Sequence, residues 1–204
     1  MANGTGLVGP WKGAVDRVAG FPKDLRIRLQ RATLRNCVFL AGKIKEGILS
    51  QRPGGLAWKP LHPFTISQRL AGLSKGARAK AEKRGAEITA QGGTAHKALV
   101  HHGDLLASIT YKVNADGLSG RVGVLRQART RDGQEMVNVA RILSEGRVIR
   151  VTPKMRAWMH RQGFHLKPST TQIVIPPRPF LAPVYYQFRP VLVENYRAAL
   201  RGSV

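Results

Sequence analysis

The chain has 204 residues, 43% of them hydrophobic, and carries 34 Lys and Arg against 11 Asp and Glu, a net charge of +23. That length suits one domain with its own core better than two, and that hydrophobic share excludes wholesale disorder. A charge of this size self-repels and points to a polyanion close by, nucleic acid first and an anionic membrane surface second. The one cysteine, Cys37, rules out an intrachain disulfide and fits a reducing cytoplasm. No window approaches 18 uninterrupted apolar residues, so no transmembrane span is expected, and no sustained amphipathic helix carries Trp or Phe on its apolar face, so no membrane partner is expected either. Residues 1–10 lack a basic start followed by an apolar stretch, so no secretory leader is expected there.

Residues 1–22 are Gly-rich and read as an N-terminal arm, ahead of a single domain over 23–204. From 23 to 50, Leu25, Leu29, Ala32, Cys37, Ala41, Ile44 and Ile48 recur at helical steps, and Pro53-Gly54-Gly55 stops the run. Arg26, Arg28, Arg31, Arg35, Lys43 and Lys45 are expected on the opposite face. Trp58-Lys59-Pro60-Leu61-His62-Pro63 is too proline-punctuated for regular structure, and Thr65 can cap a short helix after it. Residues 74–97 form a basic, weakly hydrophobic segment, either a frayed helix or a loop that orders on an anion.

Asp104 is expected to cap a helical turn before Leu105. Ile109, Tyr111 and Val113 alternate with Thr110 and Lys112, the two-residue period of a strand with one wet face. Asn114-Ala115-Asp116-Gly117 supplies turn chemistry, and residues 118–125 return as the partner strand. Arg126, Arg129 and Arg131 then share a loop without an apolar anchor, the composition of a loop facing phosphates. A short helix over 136–144 ends at Gly146, and Val148, Ile149 and Val151 make a strand. Thr152-Pro153 opens another helix, with Met155, Trp158 and Met159 expected in the core. Ile173, Val174 and Ile175 form the last strand, and residues 184–201 a closing helix with Val184, Phe188, Val191, Leu192 and Leu200 on one face.

Between that strand and that helix lie Pro176, Pro177, Arg178, Pro179, Phe180 and Leu181. The prolines remove three backbone donors in four positions and hold the chain extended. Such a stiff segment is expected to hold out Arg178 and Phe180. Phe180 and Leu181 then either plug the core or dock the arm on a neighbouring subunit.

Catalytic constellations are missing from the pattern. His101-His102-Gly103-Asp104 has no second ligand set at metal spacing, and His160 and His165 lack a third partner. There is no phosphate-cradling Gly-rich loop, no nucleophile elbow and no dinucleotide fingerprint, and carboxylates are scarce. No enzyme activity, cofactor or metal is expected.

Four separated segments together resemble the phage virion morphogenesis family, the tail-completion and neck proteins of Mu-like tailed phages. They are Trp58-Lys59-Pro60-Leu61 with Thr65; Leu99 to Leu106 with Ser108-Ile109; Val139-Ala140-Arg141-Ile142 through Glu145-Gly146; and Ile175-Pro176-Pro177-Arg178-Pro179-Phe180-Leu181. The chain departs from the family pattern at His102, at Pro177 and in a missing histidine of the third block. The resemblance implies an α+β fold, with a long N-terminal helix and a C-terminal helix packed on a small antiparallel sheet. It also implies a structural role as a ring at the head–tail junction, a hexamer or a dodecameric collar, contacting neck, connector or tail-tube proteins. The resemblance further implies that the ring belongs to the virion and assembles in the host cytoplasm. Double-stranded DNA passing through such a ring meets phosphates without base reading, which needs only Lys and Arg. The expected DNA-facing residues are Arg126, Arg129, Arg131 and, on the first helix, Arg26, Arg28 and Arg35; the expected subunit interface is the segment 176–181. The competing class is a free-standing, sequence-independent nucleic-acid-binding protein.

Overall fold

The computed structural model describes residues 23–62, 65–66, 69, 97–100, 103–130, 133–161 and 165–202. Helix α1 runs Lys23–Leu49, about 40 Å at the usual rise per residue. It buries Leu29, Ala32, Cys37, Ala41, Ile44 and Ile48, the apolar positions that its periodicity marks. The turn Pro53–Gly55 stops it, with Gly54 at φ 62, where a Cβ would run into the Pro183 carbonyl. Gln51 then ties the helix end to residues 97–100: its Nε2 donates to Ala98 O at 3.0 Å, and Ala98 N donates to its Oε1 at 2.6 Å.

Two partners lie along α1. The strands β1, Ile109–Val113, and β2, Gly120–Val124, form an antiparallel ribbon with Ile109 opposite Val124 and Val113 opposite Gly120. The ribbon's tip sits near the start of the helix, where Gln30 Nε2 donates to Asp116 O at 2.9 Å. Its base lies near the other end, where Ile109 packs with Ile44 and Ile48. Gly120 is required between them, because any Cβ there would collide with Cys37 Sγ. Short α2, Asp104–Ser108, and α3, Met136–Glu145, add Leu105, Met136 and Ala140 to the same core.

The closing helix α5, Ala182–Arg201, runs antiparallel to α1. Asn36 Nδ2 donates to Leu192 O at 3.0 Å, Asn195 Nδ2 to Asn36 Oδ1 at 2.6 Å, and Tyr196 Oη to Thr33 Oγ1 at 3.0 Å. Ala199 meets Leu29 and Ala32 beyond them. These polar bridges satisfy side chains that would otherwise be costly to bury.

After α3, Gly146 turns at φ 78 into a second antiparallel ribbon, β3, Arg147–Arg150, with β4, Gln172–Ile175. Helix α4, Pro153–Arg161, lies between the two strands, and Met155 N donates to the Thr152 hydroxyl at 3.2 Å at its start. The fold is thus α+β, with long helices at both ends of the described chain. Four expectations are corrected. The strands form two separate two-stranded ribbons instead of one small sheet. On α5, Val184 is buried and Phe188 and Leu192 are partly so, but Val191 and Leu200 are exposed; Leu200 lies about 100° around the helix from the buried Ala199. On α4 only Met159 is buried, while Trp158 is 44% exposed. Asp104 makes no side-chain cap bond to α2, whose preceding residue is Gly103 at φ 79. The short helix after Thr65 includes Thr65 and Ile66, and residues 74–96 lie outside the described chain, as does the expected arm over 1–22.

Candidate subunit and nucleic-acid interfaces

The proline segment sits between β4 and α5, and its direction decides what it can contact. Phe180 is 1% exposed and lies in the core with Ile44, Ile48, Leu105, Ala140 and Val184. Arg178 is 5% exposed; its N–H donates to Leu143 O at 2.8 Å and its NH2 to Lys59 O at 3.2 Å. Trp58 Nε1 donates to Pro179 O at 3.2 Å from the other side. The arm expected to hold Arg178 and Phe180 outward instead turns both inward. Prolines fix the segment as extended but do not choose its heading. A Phe side chain gains about 1.5–3 kcal/mol when buried, and the gap between α1 and α5 offers that burial within the same chain. Pro177 is the exposed member of the segment; Pro176, Pro179 and Leu181 are half-buried.

Burial pushes the Arg178 guanidinium below its usual range, and its Nε has no hydrogen-bond partner. Arg69 is lowered too, first by burial and then by the charge of Arg178, while its NH1 donates to Lys97 O at 2.8 Å. The two cations repel each other beneath the proline segment.

Among the described residues, the expected DNA-facing arginines are spread along α1 and the loop after β2. Arg26 and Arg35 are exposed on α1, and Arg28 is half-buried with its Nε on Asp24 O at 3.4 Å. Arg126 is exposed after β2, beyond the ribbon's base, which packs on Ile44. Arg28 and Ile44 are about 24 Å apart along the helix axis. Arg129 is tied to Glu135 at 3.0 Å, and Arg131 lies outside the described residues. The outward face of α1 is also less cationic than its sequence suggests. Ile27, Leu34, Val38 and Leu49 are exposed there among Arg31, Arg35 and Lys45, whereas Lys43 turns back over the Phe39 and Phe188 rings.

A different concentration of charge appears on the unit formed by β3, α4 and β4. Arg147, Arg150, Lys154, Arg161 and Lys167 are all exposed on it, as are His160 and His165. Its fixed point is Arg156, whose guanidinium donates to the carbonyls of Leu166, Lys167, Pro168 and Thr170 at 3.2, 2.8, 3.4 and 2.7 Å. A shallow groove of about 690 Å³, lined by Val151, Pro153, Arg156, Ala157, His160 and Arg161, runs along α4. The stretch from Glu145 to Glu194, with no Asp or Glu between them, is the sequence signal for this surface.

His160 and His165 stack edge to face with ring centroids 4.4 Å apart, and His101 and His102 lie outside the described residues. Among the described residues no group of three His, Cys, Asp or Glu side chains is placed to hold a metal ion. Comparison of the chain with protein-family models, with curated proteins and with solved structures finds no match in any of the three.

Proposed function

We propose that this chain is a structural protein of a phage neck or tail, closing with its own copies into a ring at the head–tail junction through which double-stranded DNA passes. The observation that carries this is the convergence of the four segments on which the resemblance rests. Trp58 reaches Pro179, Arg178 reaches both Lys59 and Leu143, and Phe180 shares a core with Leu105 and Ala140. Residues scattered over 58–181 thus meet in one knot, as the signature of a shared fold would. Among the described residues of these segments none is arranged around a reacting atom, and the reading is structural instead of enzymatic.

A hexamer is the assembly we favour, with a dodecameric collar as the variant. Terminator, completion and collar positions are all compatible with it. Partners would be neck, connector or tail-tube proteins and, without sequence preference, duplex DNA. Phe180 is used inside its own chain, so the contact between copies is assigned to the outward face of α1. There Ile27, Leu34 and Val38 are exposed beside Arg31 and Arg35, and apolar residues interleaved with arginine suit an interface core. A head-to-tail contact that closes on itself makes a ring. Among the described residues no helix is long and apolar enough to cross a membrane.

Electron microscopy of the purified protein tests this reading. Closed rings of six or twelve copies are expected, and Val38→Glu should reduce them to monomers that remain folded. The second reading, a free-standing nucleic-acid-binding protein, draws on the same net charge of +23. It predicts monomers at every concentration.

A further inference from the structure

We infer that the β3–α4–β4 unit is the part of this chain that grips the phosphate backbone of duplex DNA. This rests on the reading that the protein meets DNA, and it moves the contact away from α1 and the loop at 126–131. The first argument is local charge balance. Between Glu145 and Glu194 the chain contains no carboxylate, yet Arg147, Arg150, Lys154, Arg161 and Lys167 all stand exposed on this unit. Elsewhere carboxylates lie within reach of some cations: Lys43 pairs with Glu46 at 2.7 Å, Arg129 with Glu135, and Arg197 and Arg201 with Glu194 at 3.4 and 3.6 Å. Uncompensated like charges held close together raise the local potential, and a polyanion relieves it.

The second argument is geometry. Lys154, Trp158 and Arg161 fall on one stripe of α4 at four- and three-residue steps, and all three are exposed. Seven residues of helix span roughly 10 Å, a length of duplex that carries about six phosphate charges. Arg150 stands opposite Gln172 on the ribbon, so a further cation and an amide donor share one rung. Contacts from such cations to phosphate oxygens carry no sequence information.

The third argument is rigidity. A two-stranded ribbon is marginal by itself in water. Here Arg156 fastens the 166–170 loop through four carbonyls, so the surrounding cations stand on a fixed frame. A frame already in place loses less freedom when a ligand binds.

The test uses the full chain and a 30-bp duplex followed by fluorescence anisotropy across a salt series, after ring formation has been scored by electron microscopy. The unit variant combines Arg147→Gln, Arg150→Gln, Lys154→Gln and Arg161→Gln. The control combines Arg26→Gln, Arg28→Gln, Arg121→Gln and Arg126→Gln and removes the same charge. The unit variant is expected to keep its rings and its melting temperature. Its affinity should fall about 100-fold or more near 0.1 M salt, and its log–log salt slope should drop by about 3.6, or 0.9 for each lost phosphate contact. The control should change affinity less than about tenfold. An unchanged slope in the unit variant with a large loss in the control would overturn the inference while leaving the ring reading standing. So would wild-type binding to an Asp/Glu-rich peptide without binding to the duplex, which would mark an acidic protein as the partner. Loss of rings in the wild type, with the unit still gripping DNA, would instead sink the ring reading alone.

Discussion

The half of the molecule built on α1, α5 and the first ribbon differs from the β3–α4–β4 unit in what surrounds its side chains. The first half buries Phe180, Ile44, Ile48, Ile109 and Val184 almost completely and joins its helices through Thr33, Asn36, Asn195 and Tyr196. In the second, Val148 and Val174 face each other across the ribbon at 55% and 65% exposure, Met159 is the one buried hydrophobic residue on α4, and a single arginine fastens the loop. It has no carboxylate at all, whereas the first half pairs Glu46, Glu135 and Glu194 with cations. One region is built to hold itself together. The other is a small, firm carrier for charge that the chain leaves unbalanced.

The sharpest way to break this contrast is to remove a core residue. Phe180→Ala should cost about 3–5 kcal/mol in denaturant unfolding, because it empties a fully enclosed site. A loss below 1 kcal/mol would mean that the segment is not the plug described here. A smaller effect is expected where the two regions join. Gly146 sits at φ 78, and a Cβ there would lie 2.8 Å from Ile175 O. Gly146→Ala should cost about 1–3 kcal/mol. Amide exchange should quicken in β3 and β4 and stay unchanged in α1.

Cys37 sharpens the comparison from the buried side. Burial pushes its thiol up, so the folded state holds the proton more tightly than the unfolded state does. Its contribution is fully present below the unfolded thiol's range and is lost as pH rises through the folded one. Between about pH 7 and about pH 10, wild type should lose more stability than Cys37→Ala does. Thiol reagents should label the wild type only after unfolding. The smallest effect belongs to Trp158→Ser, expected within about 0.5 kcal/mol of wild type because the residue is exposed and belongs to neither core cluster. A large loss there would return Trp158 to the core.

Much of this arrangement is legible in the chain. The three- to five-residue steps from Leu29 to Ile48 mark the buried face of α1, and Pro53-Gly54-Gly55 marks its end. The alternation at 109–113 marks β1, and Gly146 marks the end of α3. What lies beyond local pattern is long-range. The pairing of Arg147–Arg150 with Gln172–Ile175 apart from the first ribbon cannot be read from periods of two. Nor can the choice of Ala199 over Leu200 as the buried residue, since a small side chain there lets α5 approach Leu29 and Ala32. The inward heading of Arg178 and Phe180 depends on Trp58 and Lys59, more than a hundred positions away. The gap in carboxylates after Glu145 is plain in the sequence, but it acquires meaning only once the fold gathers those cations on one small unit.

The account turns on a closed ring around a duplex, and native mass spectrometry of the protein mixed with duplexes of 20, 40 and 80 bp tests it most directly. A ring predicts six or twelve chains per duplex at the two shorter lengths, with intermediate numbers absent. Chains adding one at a time, in proportion to duplex length, would contradict it and mark a protein that coats DNA as single molecules.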